Sequence, residues 1–279
     1  MKHHFTFFLL LCCLTACQTD TPTDPTPEEP TVELITPADA AVPFSTLTLQ
    51  DSTALITGDS LSPWGNVRIE TIVPHAEDEA LNQKINKAIG RVIAGDDYPM
   101  IPTDPALHLA QAARNTLQEY RDEKVDTADV RDAPNAFSLA EDYQTKILYN
   151  ERDLLFLSVD CYWYTGGAHG NYYVTFLNFD LESGKQLKAG NVFSQEGRKA
   201  VTKLLEDHFN EILGDAKFAE ITETNPNFTF TQHGIKFNYA PYEIAPYAAG
   251  KQEVTLTFDR LRPHLTELGQ HIANRLLAS

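Results

Sequence analysis

Three strand patterns follow one another in the middle of the chain. Apolar and polar residues alternate over Leu139–Tyr149, Leu154–Tyr164 and Tyr172–Asp180, with the period of two that is typical of strands. Because the connections between them are short, these strands are predicted to pair as an antiparallel meander. The second connection, residues 165–170 (TGGAHG), is rich in glycine, which reaches the positive φ angles of tight connections at little steric cost.

Helical patterns and shorter strand patterns lie on both sides of the meander. Apolar residues recur at helical spacing from Leu81 to Val92, from Ala106 to Tyr120 and from Val201 to Ile212, and Ser194 is the predicted N-cap of the third helix. The other predicted elements are a strand at Val67–Val73, a hairpin of Phe228–Phe230 and Ile235–Tyr239, a strand at Val254–Phe258 and a closing helix at Leu261–Leu276. Strands in runs with helices between the runs favour an α+β fold, with helices packed on one face of antiparallel sheets. We expect two consecutive modules, residues 46–180 and 181–279.

The first residues form a leader of the kind that exported proteins carry. Lys2 precedes an apolar run from Phe5 to Leu14, which is too short to span a bilayer as a mature helix. Residues 14–17 (LTAC) resemble the bacterial lipobox, so residues 1–16 are predicted to be a lipoprotein signal peptide and Cys17 to be acylated. The alternative is an ordinary signal that is cut near Ala16. Either way the predicted location is the bacterial cell envelope, with the lipid at Cys17 as the membrane anchor in the first case.

Residues 17–45 are predicted to be a disordered tether, because they are rich in threonine, proline and acidic residues and poor in apolar ones. Acidic residues also dominate the whole chain, which has 39 Asp and Glu against 22 Lys and Arg and a formal net charge of −17. This charge disfavours nucleic acid as a partner and suits a cationic one, although solubility alone would also account for it. Of four cysteines only Cys161 remains if Cys12 and Cys13 leave with the leader and Cys17 carries lipid, so no internal disulfide is expected.

Three motifs carry a resemblance to a known family: residues 164–170 (YTGGAHG), 178–185 (NFDLESGK) and 242–250 (YEIAPYAAG). They resemble the RsiV-like extracytoplasmic family, a pair of bacterial domains of unknown function. The pair occurs in the ectodomain of a lysozyme-receptor anti-sigma factor, and the first domain also occurs ahead of some peptidoglycan deacetylases. The resemblance covers residues 64–268 and implies an envelope-facing protein that binds. Signalling and deacetylation do not carry over, since they need a cytoplasmic segment or a metal-binding catalytic domain that this sequence does not show.

His169 is the residue that would favour an enzyme. As a general base it needs an orienting partner, and Asp160 could approach it across the hairpin, with Ser158 on the same strand face as Asp160. No GxSxG elbow accompanies them, however, and the histidines are scattered singly without metal-ligand spacing. Phosphate-loop and dinucleotide fingerprints are also absent from the sequence, so no metal or cofactor is predicted.

Aromatic residues near the two glycine-containing motifs favour a binding surface instead. Tyrosine offers a large contact area and a polar tip at low entropic cost. The predicted binding residues are Tyr164, Thr165, Gly166, Gly167, His169, Tyr172, Tyr242, Glu243 and Tyr247. We therefore expect a lipid-anchored, non-enzymatic envelope protein that recognises a cell-wall glycan or a cationic protein such as lysozyme. The alternative is a hydrolase of envelope glycans or peptides that uses His169 with Asp160 or Glu243.

Overall fold

A computed structural model describes residues 31–35, 40–95, 98–99 and 103–278. The predicted signal peptide, the lipidation site Cys17 and most of the predicted tether lie outside these residues. The strands are β1 (Thr31–Ile35), β2 (Phe44–Ala54), β3 (Trp64–Pro74), β4 (Leu139–Glu151), β5 (Leu154–Tyr164), β6 (Asn171–Asp180), β7 (Lys185–Gln186), β8 (Phe228–Phe230), β9 (Gly234–Tyr239) and β10 (Gln252–Thr257). The helices are α1 (Glu79–Ala94), α2 (Pro105–Asp122), α3 (Thr127–Asp132), α4 (Ala189–Val192), α5 (Gln195–Leu213), α6 (Phe258–Leu261) and α7 (Glu267–Leu277).

The strands form two sheets. In the larger sheet β1 to β7 lie in sequence order, and every neighbouring pair is antiparallel except β3 and β4, which are parallel. The parallel pair exists because α1, α2 and α3 form the crossover that a parallel connection requires. In the smaller sheet the order is β10-β9-β8, with both pairs antiparallel. The predicted α+β fold and the β4-β5-β6 meander are therefore confirmed.

Residues 154–159 of β5 are buried on both faces of the sheet, and the strand belongs to both hydrophobic cores. Its odd-numbered residues, such as Leu157 and Val159, lie in one core with Ile85 of α1 and Leu117 of α2. Its even-numbered Leu154 and Phe156 lie in the other core, with Phe209 of α5, Val201 of α5, and Phe228 and Phe237 of the small sheet. Helices α1 and α2 thus cover one face of the large sheet, as expected, and the second module covers part of the other.

Asparagine side chains join the edge of β6 to the second module. The Asn227 side chain accepts a hydrogen bond from the backbone N–H of Phe176 (2.9 Å) and donates one to the carbonyl oxygen of Val174 (2.6 Å). Asn178 donates to the Phe228 carbonyl oxygen (2.6 Å) and accepts from the hydroxyl of Thr229 (2.9 Å). The Asn227 bonds satisfy backbone groups on the β6 edge that β7 does not reach, and the Asn178 bonds hold β8 beside the meander.

Several boundaries differ from the prediction. The disordered tether was expected to extend to residue 45, but Thr31–Ile35 form β1, which pairs with β2 (Thr31 with Thr48), and β2 already begins at Phe44. The sequence TVELI is rich in strand formers, and β2 supplies a partner that the proline-rich composition around it does not reveal. The short helix α3 has no counterpart among the predicted elements, and Asp126 caps it by accepting from the backbone N–H of Ala128.

The end of the chain also differs from the prediction. The closing helix was expected to run from Leu261, but α6 ends there and Pro263 lies in a 3-10 turn of Arg262–His264. Thr266 then caps α7, accepting from the backbone N–H of Gly269 at 3.1 Å. Ile212, predicted to face the core, is 53% exposed because it lies in the last turn of α5. Among the described residues, no helix combines the length and the apolar character that crossing a membrane requires.

Candidate functional site

The glycine loop, residues 165–170, connects β5 to β6 in a conformation that its glycines make possible. Gly166 and Gly167 both have positive φ angles, 85° and 91°. A Cβ atom on Gly166 would overlap the backbone carbonyl of Ala136, whereas a Cβ atom on Gly167 would meet nothing. The hydroxyl of Tyr164 lies 2.9 Å from the carbonyl oxygens of both Asn135 and Gly167 and can donate to either. The loop is therefore held against the segment that precedes β4.

An aromatic patch, defined as His169, Tyr172, Tyr242 and Tyr247, lies beside this loop. The imidazole of His169 stacks on the ring of Tyr247, with ring centroids 3.8 Å apart and an interplanar angle of 15°. The Tyr247 hydroxyl donates to the carbonyl oxygen of Gly170 at 3.0 Å, and the Tyr242 hydroxyl lies 3.5 Å from Nε2 of His169. Tyr172 meets Tyr247 edge to face. The two glycine-containing motifs, separated by more than 70 residues, thus meet in space and build one surface from both modules.

The second motif presents Tyr242 to solvent through a constrained turn. Tyr242 has a φ angle of 68°, which is uncommon for a residue with a side chain, and the residue is 52% exposed. The turn is fixed because the backbone N–H of Tyr242 donates to the Ala245 carbonyl oxygen (3.1 Å) and the carboxylate of Glu243 accepts from the backbone N–H of Ala240 (2.8 Å). Although the residue is exposed, partial desolvation of its carboxylate raises the pKa of Glu243, and the Ala240 N–H offsets part of this shift. Glu243 therefore supports the turn that displays Tyr242.

An acidic cleft begins where the glycine loop leaves β5. It has a volume of about 720 Å³, and Thr165 of the loop lines it together with Ala136 and Phe137. Its carboxylates are Glu119 and Asp122 of α2, Glu123 just after that helix and Glu141 of β4. Burial raises the pKa of Glu141, which means that its surroundings penalise the negative charge. The sequence places Glu119, Asp122 and Glu123 close together at the end of a predicted helix, but the position of Glu141 beside them follows only from the fold.

A smaller groove of about 290 Å³ opens on the meander between Tyr162 and Tyr172. The polar residues that line it include Asp142, Gln144 and Asp160, as well as Lys251. Tyr162 is 43% exposed, and Gly170 lies so close to its ring that a Cβ atom there would overlap it. Tyr239, which lies close to Tyr242 in the sequence, is only 4% exposed and belongs to the second core.

The residues proposed for hydrolysis are not brought together. Ser158 is buried at 3% exposure, and Asp160 forms an ion pair with Lys146. Nδ1 of His169 lies 3.0 Å from the Gly170 carbonyl oxygen. Within the described part of the chain, no hydrogen bond joins His169 to Asp160 or Glu243. The same part of the chain has no group of three His, Cys, Asp or Glu residues that could hold a metal ion.

Cys161 is the free cysteine of the described chain, and it is buried in the first core at 4% exposure. Burial raises the pKa of its thiol to about 11, and the Tyr173 hydroxyl partly opposes this shift. A thiol with a raised pKa carries little thiolate near neutral pH. Its environment is therefore that of a small apolar side chain.

Two family models match consecutive parts of the chain. Residues 66–172 match the family described as "Deacetylase PdaC", and residues 183–259 match the family described as "Protein of unknown function (DUF3298)". The chain carries these two modules in succession. The resemblance that the three motifs indicated is thereby confirmed for the paired modules, and the PdaC-like module is compatible with a protein of the cell envelope.

Two solved structures share the fold. A DUF3298 family member from Bacteroides fragilis is 24% identical with a TM-score of 0.73, and the match covers 86% of this chain and 99% of that one. A DUF3298 family protein from Pseudomonas aeruginosa is 19% identical with a TM-score of 0.54, covering 80% of this chain and 94% of that one. No curated protein matches the chain. At these identities the similarity shows the fold alone.

Proposed function

We propose that this protein is a lipid-anchored, non-enzymatic binding protein of the bacterial cell envelope, and that its aromatic patch and acidic cleft together bind a cationic protein. The observation that carries the proposal is the stack of His169 on Tyr247, tied by the Tyr247 hydroxyl to Gly170. This contact assembles an exposed aromatic surface from both modules before any partner arrives. Aromatic side chains that are already ordered lose little entropy on binding, which is why they are frequent anchors of interfaces.

The acidic cleft supports a cationic partner. The glycine loop connects it to the aromatic patch, since Thr165 lines the cleft and His169 lies at the other end of the loop. Lysine or arginine side chains entering the cleft would offset the desolvation that raises the pKa of Glu141. The net charge of −17 would also accelerate the encounter with such a partner, and salt would weaken this effect.

Titration of the full chain with lysozyme, as a cationic probe, tests this function. We expect Tyr242→Ala to weaken binding by roughly tenfold or more, the scale of a lost aromatic anchor. Leu148→Ala is the matched control, because Leu148 is 45% exposed and lies eight residues along β4 from Ala140, which pairs with Tyr164. The proposal fails for this partner if lysozyme does not bind at low or at moderate salt, or if both variants bind equally well.

The anchor is tested separately. Mass spectrometry of the mature protein should find Cys17 as an acylated first residue, and Cys17→Ser should abolish that modification. An unmodified amino terminus downstream of residue 17 would exclude the lipid anchor while leaving the binding surface open to test.

The smaller groove favours a second candidate function, the binding of a cell-wall glycan. Tyr162 offers an exposed ring face, and Asp142, Gln144 and Asp160 supply polar groups that can hydrogen-bond sugar hydroxyls. Soluble peptidoglycan fragments should then bind the native chain and bind Tyr162→Ala more weakly, with Tyr242→Ala as the control. Loss of glycan binding in Tyr242→Ala alone would assign the glycan to the aromatic patch instead.

A further inference from the structure

A basic groove lies where the two modules meet, in a chain that is otherwise strongly acidic. Its volume is about 450 Å³. Lys84, Lys87 and Arg91 of α1 line one side, and Gln186 and Lys188 line the other. The apolar residues that line it are Ala88, Val92 and Leu177. None of the described residues that line this groove is a carboxylate, although the chain has 39 acidic residues against 22 basic ones.

The three lysines retain the capacity to bind an anion. Lys84 donates one hydrogen bond, to the carbonyl oxygen of Gly184 at 2.8 Å, and an ammonium group has two further donors. Among the described residues, no carboxylate lies within ion-pair distance of Lys84, Lys87 or Lys188. Arg91 already interacts with another group, so ligand binding is inferred from the three lysines alone.

The dipole of α1 does not explain why the basic residues of the groove lie where they do. Cations near the C-terminus of a helix interact favourably with its dipole, and Arg91 lies in the last turn of α1. Lys84 and Lys87, however, lie near the middle of this helix, and Lys188 precedes α4 at its N-terminal end, where a cation gains nothing from the dipole. Four positive groups from two modules therefore line one groove, although the net charge of the chain is negative.

We propose that this groove binds a phosphate-bearing ligand of the size of glycerol phosphate. Lysine ammonium groups bind phosphate as point charges, and convergent lysines can contact several phosphate oxygens at once. The apolar side chains of Ala88, Val92 and Leu177 would contact the carbon skeleton next to the phosphate. Ligand sites occur preferentially between domains, and a ligand here would touch both modules. The phosphate could belong to a phospholipid headgroup or to a soluble polyol phosphate.

The test compares two probes on the full chain. The first is soluble glycerol phosphate, measured by calorimetry, and the second is the excess of binding to phosphatidylglycerol vesicles over phosphatidylcholine vesicles. The site variant is Lys87→Gln with Lys188→Gln, which leaves the Lys84 contact to Gly184 intact. The control variant is Lys203→Gln with Arg260→Gln, which removes the same charge at exposed positions outside the groove. Thermal unfolding of both variants establishes that they are folded.

The proposal is supported if either probe binds the native chain, the site variant binds it about tenfold more weakly per lysine removed, and the control variant binds it as the native chain does. Glycerol phosphate binding identifies a soluble polyol phosphate as sufficient, whereas binding to anionic vesicles alone identifies the lipid headgroup. If neither probe binds, or if the site and control variants weaken binding equally, the groove does not recognise phosphate. The lysozyme titration is independent of all these results, because its residues lie outside this groove.

Discussion

Gly166 and Gly167 have similar backbone conformations but different surroundings. Both residues have positive φ, but only at Gly166 would a side chain overlap a neighbour, the Ala136 carbonyl. We expect Gly167→Ala to cost roughly 1–2 kcal/mol, the strain of a side chain at positive φ. Gly166→Ala should cost about 1–3 kcal/mol more, because the overlap adds to that strain. Urea unfolding of both variants measures the difference, and equal costs would mean that the loop does not pack on Ala136.

Glu141 of the acidic cleft makes the stability of the fold depend on pH. Burial raises the pKa of Glu141 in the folded chain. Above this folded pKa the ionised carboxylate therefore lowers the free energy of unfolding. The cost disappears below the pKa of the unfolded chain, about 4.3, where the group is protonated in both states. Glu141→Gln should therefore raise the free energy of unfolding near neutral pH and lose this advantage as the pH falls toward 4.3. Chemical denaturation at several pH values measures it, with the exposed Glu151→Gln as control. A constant difference across this range would contradict the burial of Glu141.

At the scale of elements, the edge of β6 is where the second module attaches. Asn227 satisfies the N–H of Phe176 and the carbonyl of Val174. Asn227→Ala leaves both backbone groups without these partners, and we expect a loss of about 2–4 kcal/mol. Asn115→Ala removes an exposed contact to Gln111 on α2 and should change stability by less than about 0.5 kcal/mol. Similar unfolding midpoints for the two variants would show that the β6 edge does not depend on Asn227.

The elements that the sequence predicts well are those with local signals. The alternation in β4, β5 and β6 and the short connections between them define the meander, and Ser194 caps α5 through the N–H of Gly197 as its sequence position indicated. The parallel pairing of β3 with β4 has no such signal, because the long helical crossover decides it. For the site, the motifs indicated which aromatic residues gather, whereas the His169–Tyr247 stack and the position of Glu141 depend on contacts between distant segments.

At the scale of the whole molecule, the sharing of β5 between two cores predicts cooperative unfolding. Phe156 is fully buried and stacks on Tyr149 and on Phe230 of the second module. We expect Phe156→Ala to cost about 3–5 kcal/mol and to lower the protection of amides in α1 and α5 by the same free energy. Native-state hydrogen exchange measures both. Loss of protection in α5 alone would mean that the two modules unfold independently.

The acidic cleft and the aromatic patch act together only if charge and aromatic contact belong to one interface. The most direct test is the salt dependence of lysozyme binding to the full chain, measured by calorimetry. Glu119→Gln with Glu123→Gln in the cleft is compared with Glu211→Gln with Glu220→Gln at exposed positions elsewhere. We predict that the cleft variant binds about tenfold more weakly at low salt and loses most of its salt dependence, while the control variant retains both. Equal losses in the two variants, or no binding by the native chain at any salt, would contradict the account.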